Sequence, residues 1–263
     1  MKIVVIGGSG RIGEKLVYNL RQDDYVVLEA SRSSGVDTVT GEGLDRALEG
    51  AEVLVDVSNS PLLAGDAPLR FFERSGCRLL AAGRAAGVRH HIALSIVGTD
   101  GLQASAYFRA KKLQEDLIKA SGTPYSILRS TQFFEFITGV VQDGGQDEVV
   151  ISPAMVQPIS GLDVAEALAD LATGEPVNRT LEVAGPEHFR LPDLAIEVLT
   201  AYEDRRRVVA DPHALYFGAE LTDRALLPGD EARIAALRFE DWLRQSLQPH
   251  AVTSLRAEAG WVR

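Results

Sequence analysis

The chain has 263 residues, of which 46% are hydrophobic, so it suits one large α/β domain or a domain with a small second lobe. A net charge of −10 without a basic cluster argues against nucleic acid and anionic membranes as partners. The single cysteine, Cys77, excludes an intrachain disulfide and a cysteine-built zinc site, and we expect no metal.

No apolar stretch reaches the roughly eighteen residues that a membrane-spanning helix needs. The sequence opens on an apolar strand pattern without a charged leader, unlike a secretory signal peptide. We therefore expect a soluble, cytoplasmic protein.

A glycine-rich turn follows the first predicted strand, residues 2–6. Residues 7–13 read GGSGRIG, and residues 14–20 continue with helical periodicity. The turn fits both G-x-x-G-x-x-G and G-x-G-x-x-G, because glycines let the backbone approach a pyrophosphate at a helix N-terminus. A tight connection without a ligand is the alternative. The predicted cofactor contacts here are Gly7, Ser9, Gly10, Arg11, Ile12 and Gly13.

Apolar runs then alternate with helical patterns, which is typical of a parallel sheet built from β–α–β units. Further strands are predicted at residues 25–30, 36–39, 52–57, 91–96, 124–128 and 180–184. Helices are predicted at residues 44–49, 67–86, 102–120, 133–141, 162–172, 191–202 and 231–247. The predicted fold is α/β, a doubly wound Rossmann-type parallel sheet with a small C-terminal substrate lobe.

We predict that residues 1–186 form the NAD(P)-binding domain, with an insertion of the substrate lobe near residues 133–160. Residues 187–263 would form the small substrate-binding lobe. In open α/β sheets, ligands bind in the crevice at the carboxyl ends of the strands.

The end of the second predicted strand bears on the choice between NADP and NAD. An acidic residue about 20 positions past the glycines binds the ribose of NAD, whereas Ser31 and Arg32 stand there. A guanidinium suits a 2′-phosphate, so NADP is favoured and NAD is less probable. Glu29 is the competing candidate for an NAD site. Ser58 and Asn59, after the fourth strand, are predicted to contact a cofactor ribose, although Asn59 also suits a plain turn.

Tyr107 and Lys111 form a Y-x-x-x-K in the helix after the fifth strand, and Ser95 precedes them at the end of that strand. The spacing puts the tyrosine and the lysine on one helix face. A phenol is a weak acid unless a nearby cation stabilises its anion. We therefore predict Tyr107 as general acid, Lys111 as its cation and ribose ligand, and Ser95 as a hydrogen-bond donor to the substrate oxygen. A surface tyrosine with a solvated lysine is the alternative.

The chain resembles the NmrA-like, NAD(P)H-binding group of atypical short-chain dehydrogenases/reductases. The residues that carry the likeness are 7–13, 87–98, 107–115, 124–136 and 163–165. The resemblance implies a Rossmann domain with a small substrate lobe, and it implies an acid role for Tyr107 with Lys111 as helper. The adenine-contacting acidic residue common in the superfamily has no clear counterpart at residues 40–43. The group also includes non-catalytic redox sensors.

The expected activity is NADPH-dependent reduction of a carbonyl, enone or quinone group of a small molecule. Phe133, Phe134 and Met155 are predicted to line an apolar substrate pocket, with plain core packing as the alternative. A non-catalytic NADP(H)-binding sensor for a protein partner remains open, as does isomerisation or dehydration with bound cofactor. A homodimer is an open alternative to a monomer.

Overall fold

The computed structural model describes residues 1–142 and 145–247, so residues 248–263 of the predicted C-terminal lobe lie outside the described residues. The helices are α1 Arg11–Leu20, α2 Leu44–Leu48, α3 Ala67–Ala86, α4 Ala106–Ala120, α5 Phe134–Gln142, α6 Gly161–Thr173, α7 Leu191–Ala201 and α8 Phe239–Ser246. The strands are β1 Lys2–Ile6, β2 Val26–Ala30, β3 Val53–Asp56, β4 His90–Ile96, β5 Tyr125–Ser130, β6 Glu148–Ile151, β7 Met155–Val156, β8 Arg179–Ala184, β9 Phe189–Arg190, β10 Arg207–Ala210 and β11 Arg233–Ile234.

The central sheet has seven strands in the order β2, β1, β3, β4, β5, β8, β11. Strand β1 pairs in parallel with β2 on one side and with β3 on the other. After β2, the following strands are therefore added on the opposite side of β1. Such a reversal opens a crevice at the carboxyl ends of the two strands beside it. The predicted doubly wound Rossmann-type sheet is confirmed.

Helices cover the middle of the sheet because its strands are apolar on both faces. Val4 and Val5, which point to opposite faces of β1, are both fully buried. One face joins Val4 to Leu54 of β3 and Leu79 of α3 in a single apolar cluster. This packing fixes the strand ends from which the candidate site is built.

The strand predicted at residues 36–39 is wrong, because these residues form a turn. Asp37 Oδ1 accepts the backbone N–H groups of Val39 (2.7 Å) and Thr40 (3.1 Å). A side chain that accepts hydrogen bonds from backbone N–H groups two and three residues later favours a turn over the hydrogen-bonded ladder of a sheet.

The helix predicted at residues 231–247 is too long at its N-terminal end. Residues 233–234 instead form β11 and pair with β8. Helix α8 begins at Phe239, whose backbone N–H donates to Glu187 Oε2 (2.9 Å). This carboxylate satisfies one of the free N–H groups of the first turn, so it favours a helix start at that residue.

The chain divides into two compact units. The first contains residues 1–129 and 164–181, and the second contains the described residues of 130–163 and from 182 onward. The second unit holds an aromatic cluster in which the ring of Phe134 lies 5.2 Å from that of Phe239 and 5.4 Å from that of Trp242. The predicted domain boundary at residue 186 remains a prediction.

No helix in the described part of the chain is both long and apolar enough to cross a membrane.

Candidate active site

The glycine turn between β1 and α1 has a backbone that side chains would obstruct. Gly7 has a φ of +79°, and a Cβ built on it would lie 2.9 Å from the backbone N of Ser58. A Cβ on Gly13 would overlap the carbonyl oxygen of Gly7. No side chain caps α1 at Gly10, so N–H groups of its first turn remain available to an anion. These residues fit the pyrophosphate of a dinucleotide.

The turn after β3 meets this glycine turn in the crevice of the sheet. Gly7 follows β1 directly, and its backbone lies so near Ser58 that a Cβ built on Gly7 would come 2.9 Å from the Cα of Ser58. Two segments predicted to hold the cofactor, residues 7–13 and 58–59, are therefore adjacent. Ile12 and Gly13 are buried in the first turn of α1, whereas Ser9 and Gly10 are exposed.

Both candidates for nucleotide choice lie at the end of β2. Arg32 is largely exposed, and its Nε lies 3.3 Å from Asp37 Oδ2. Ser31 Oγ donates to Glu29 Oε1 (2.6 Å). Glu29 also borders a cleft of about 390 Å³ together with Gly8, Ser9 and five residues of or next to α1, which are Glu14, Val17, Tyr18, Arg21 and Gln22.

Tyr107 lies in the first turn of α4, which begins one residue after Ser105. Ser105 Oγ accepts the backbone N–H of Phe108 (3.5 Å) and caps the helix. The phenol of Tyr107 is buried and forms a hydrogen bond with the side chain of Asn59. Burial raises the pKa of Tyr107 to about 12, and the hydrogen bond from Asn59 opposes that rise. Tyr107 therefore keeps its proton at neutral pH.

Lys111 lies one turn further along α4, and its ammonium is buried beside the sheet. Nζ donates to the carbonyl oxygen of Leu94 (2.8 Å) and to Gln114 Oε1. It also stands 4.5 Å from the centroid of the Phe72 ring, within the range of a cation–π contact. Burial lowers the pKa of Lys111 to about 8, although the charges of Asp56 and Glu115 raise it.

Asp56 is a buried carboxylate at the end of β3, and no sequence motif assigns it a role. Its Oδ2 accepts Gln114 Nε2 (2.8 Å), and its Oδ1 accepts the backbone N–H (3.0 Å) and the hydroxyl (2.6 Å) of Ser58. Its position two residues before Ser58 is the only sequence signal for it.

The hydroxyl of Ser95, predicted to bind the substrate oxygen, is bonded to a carboxylate of α4. It donates to Glu115 Oε1 (2.7 Å), and Glu115 also receives two hydrogen bonds from Arg129 (2.8 and 2.7 Å). Burial would raise the pKa of Glu115, but the hydrogen bonds from Arg129 and Ser95 lower it overall. A substrate oxygen would have to compete with this carboxylate for the Ser95 proton.

The predicted substrate residues belong to the second unit. Phe134 is 1% exposed and packs in the aromatic cluster. Phe133 and Met155 are only partly buried, and Met155 pairs with Arg190 between β7 and β9. Packing alone explains Phe134, while Phe133 and Met155 keep surface for a ligand.

Residues 7–175 match the NAD(P)H-binding family. The chain belongs to this family. Its resemblance to NAD(P)H-binding atypical short-chain dehydrogenases/reductases is thus confirmed, together with the prediction of an NAD(P)H cofactor. The matched region contains the glycine turn, Asn59, Ser95, Tyr107 and Lys111.

Among curated relatives, the chain is 28% identical to (4-alkanoyl-5-oxo-2,5-dihydrofuran-3-yl)methyl phosphate reductase of Streptomyces griseus, over 70% of this chain and 68% of that protein. It is 24% identical to Photosystem II assembly factor Ycf39 of Cyanophora paradoxa, over 74% of this chain and 66% of that protein. Among solved structures, a dTDP-4-dehydrorhamnose reductase from Clostridium acetobutylicum superimposes with a TM-score of 0.69 and 16% identity, over 97% of this chain and 100% of that chain. The NAD(P)H-binding family and the reductase relatives support an oxidoreductase.

Proposed function

We propose that the protein is an NADPH-dependent oxidoreductase that reduces a carbonyl, enone or quinone group of a small molecule, with Tyr107 as general acid. One observation carries the proposal. Tyr107 and Lys111 are both buried on α4. Tyr107 is hydrogen-bonded to Asn59 in the turn after β3, and Lys111 is connected to Asp56 of β3 through Gln114. That turn lies against the glycine turn at Gly7, where the residues fit a pyrophosphate.

In this proposal each group of residues has a separate role, set by its chemistry. Gly7, Gly10 and Gly13 leave room for the pyrophosphate, and Arg32 offers a planar set of donors to a 2′-phosphate. Reduced nicotinamide supplies a hydride when it is bound. Tyr107 donates its Oη proton to the substrate oxygen that gains charge, and Lys111 stabilises the resulting phenolate.

Ser95 has a positioning role in this proposal, in place of the predicted contact with the substrate. Its hydroxyl holds Glu115 (2.7 Å) and so links the end of β4 to α4, the helix that carries Tyr107 and Lys111. Phe133 and Met155 stay the residues predicted to contact the substrate. The proposal involves no nucleic acid, membrane or metal, places the protein in the cytoplasm, and holds for a monomer or a homodimer.

A non-catalytic NADP(H) sensor is the second candidate. Two observations favour it: the Ser95 proton is directed to Glu115, and one relative is an assembly factor by name. A sensor, however, has no chemical need for a buried tyrosine and lysine on one helix face.

Consumption of NADPH, followed by its absorbance, tests the two candidates over a panel of ketones, enones and quinones. The wild type is compared with Tyr107→Phe and with the control Tyr25→Phe, while calorimetry measures NADPH binding. We expect turnover in the wild type and the control and a loss of at least about 100-fold in Tyr107→Phe, with NADPH affinity unchanged. Equal turnover in all three proteins would exclude Tyr107 as the acid. NADPH binding without consumption across the panel would favour the sensor.

A further inference from the structure

Asp56 presents its two carboxylate oxygens to two different parts of the candidate site. The residue ends β3 and is 2% exposed. A buried carboxylate is costly unless hydrogen bonds or charges compensate it. Here one oxygen accepts a hydrogen bond from a side chain of α4, and the other accepts hydrogen bonds from the turn that follows β3.

The first oxygen, Oδ2, is connected to Lys111 through Gln114. Gln114 Nε2 donates to Asp56 Oδ2 (2.8 Å), and Gln114 Oε1 accepts from Lys111 Nζ. An ionised carboxylate only accepts hydrogen bonds and an ammonium only donates them. The Gln114 amide can therefore satisfy both partners in one orientation alone, which fixes the direction of Lys111.

The second oxygen, Oδ1, orders the turn that bears Asn59. It accepts the backbone N–H (3.0 Å) and the hydroxyl (2.6 Å) of Ser58. In the next residue, Asn59 Oδ1 accepts the backbone N–H of Ser60 (2.9 Å). The Asn59 side chain also bonds the Tyr107 phenol and lowers its pKa, so we assign the donor in that bond to the Asn59 amide NH₂.

We propose that Asp56 is the positioning residue for both Tyr107 and Lys111, acting on the lysine through Gln114 and on the tyrosine through the turn of Ser58 and Asn59. The inference rests on the proposed function, because it concerns the two residues assigned to proton transfer. It adds a connection between β3 and α4 that spans 58 positions of the sequence.

The charges around Lys111 predict how its ammonium depends on Asp56. Asp56 on β3 and Glu115 on α4 face it as anions, Phe72 on α3 offers its ring, and His91 on β4 faces Asp56. Burial lowers the pKa of Lys111, and the two carboxylates raise it. Loss of the Asp56 charge should therefore lower this pKa further and increase the neutral fraction of Lys111 at neutral pH.

The test uses the protein without cofactor, so it does not depend on turnover. The chain has five lysines, and labelling their Cε carbons with carbon-13 gives a simple NMR spectrum in which Lys111→Arg identifies the Lys111 signal. The signal is titrated in the wild type, Asp56→Asn and Gln114→Met. Asp116→Asn is the control, because it makes the same chemical change beside Lys112 on an exposed part of α4.

We expect Asp56→Asn to lower the pKa of Lys111 by about one unit or more and Asp116→Asn to leave it unchanged. Gln114→Met should lower it by a smaller amount, because the charge of Asp56 remains. An unchanged Lys111 titration in Asp56→Asn would overturn the proposal. If Asp56→Asn does not fold, an unchanged titration in Gln114→Met would overturn it.

Once a substrate is known, steady-state kinetics test the proposed effect of Asp56 on Tyr107 through the turn of Ser58 and Asn59. Asp56→Asn should lower kcat with little change in the KM for substrate, and Asn59→Ala should lower kcat without moving the Lys111 titration. A fall in kcat for Asn59→Ala with a shifted Lys111 signal would overturn the proposal that Asp56 acts on Lys111 and on Tyr107 through separate connections. Absence of turnover in the wild type would contradict the proposed function and would leave the NMR result standing.

Discussion

The ammonium of Lys111 donates a 2.8 Å hydrogen bond to the carbonyl oxygen of Leu94. This bond joins the middle of α4 to β4 at the residue before Ser95. A lysine held this way has lost the rotational freedom that a surface lysine keeps. Its charge is therefore available at one defined position, as preorganised electrostatic stabilisation requires.

Lys111→Met should lower kcat by roughly 100-fold, because the phenolate of Tyr107 would lose its cation. Methionine is apolar and of similar length, so it suits the buried space beside Phe72. Steady-state rates of NADPH oxidation would measure the loss. Lys112→Met is the matched control, because Lys112 pairs with Asp116 on the partly exposed side of the same helix.

The same lysine predicts a pH dependence in the wild type. Its pKa is lowered to about 8 by burial, and a lysine loses its charge as the pH rises through its pKa. We therefore expect the rate to fall above about pH 8 and this fall to be absent in Lys111→Met. A flat profile from pH 7 to 10 in the wild type would contradict the assigned role of the charge.

Arg32→Ser should weaken NADPH binding by about tenfold and leave NADH binding unchanged, because only NADPH carries the 2′-phosphate. The exposed pair with Asp37 (3.3 Å) contributes little energy, so the guanidinium is free to turn to a phosphate. Calorimetry with both nucleotides measures the difference.

Glu29→Gln tests the open alternative at the same site. Glu29 borders the cleft beside Gly8 and Ser9, so it would be the ribose ligand of an NAD site. Weaker NADH binding in Glu29→Gln, with NADPH binding unchanged in Arg32→Ser, would reverse the assignment of the cofactor.

The sequence predicted those parts of the fold that depend on local patterns. The glycine turn, α3 at residues 67–86 and the parallel strands follow from composition and periodicity within short windows. The strand predicted at residues 36–39 is wrong because the prediction rested on the apolar Val36 and Val39, whereas the backbone N–H groups of Val39 and Thr40 donate to the Asp37 carboxylate and favour a turn. Helix α4 starts four positions later than predicted, at the residue after the Ser105 cap.

The candidate site was predictable only where its residues form a motif. The spacing of Tyr107 and Lys111 is visible in the sequence, and both residues are buried on α4, while their roles stay predictions. The link from Gln114 to Asp56 joins residues 58 positions apart, and no local pattern indicates it. The hydrogen bond from Ser95 to Glu115 (2.7 Å) depends on the packing of α4 against β4, so the sequence could not show where that hydroxyl points.

Ser95→Ala should reduce stability more than activity. The Ser95 hydroxyl donates to a carboxylate that is 1% exposed, and loss of a hydrogen bond to a buried charged group costs about 1–3 kcal/mol. Urea denaturation should show that decrease, while kcat changes by only a few-fold. Ser126→Ala, which removes a buried hydroxyl bonded to His90, is the matched control. A loss of about 100-fold in kcat at unchanged stability would restore Ser95 as a ligand of the substrate.

The buried histidines of β4 predict that the protein loses stability in mild acid. His90 Nε2 lies 2.8 Å from Ser126 Oγ, and burial lowers the pKa of His90 from 6.5 to about 4. Burial also lowers the pKa of His91, although the charge of Asp56 opposes this. Below pH 6.5 the unfolded chain therefore binds protons that the folded chain does not, so folding becomes less favourable as the pH falls towards 4.

We expect the free energy of unfolding to fall by about 1–2 kcal/mol between pH 7 and pH 5, measured by urea denaturation at each pH. His90→Gln should reduce this dependence, because glutamine does not titrate in that range. The control is His213→Gln: the His213 side chain is 80% exposed, so its removal should leave the dependence as in the wild type. An equal dependence in the wild type and His90→Gln would show that His90 titrates alike in both states. The loss of stability between pH 7 and pH 5 would then be assigned to His91, whose pKa burial also lowers, because the lowered pKa of a carboxylate such as Glu115 acts only at more acidic pH.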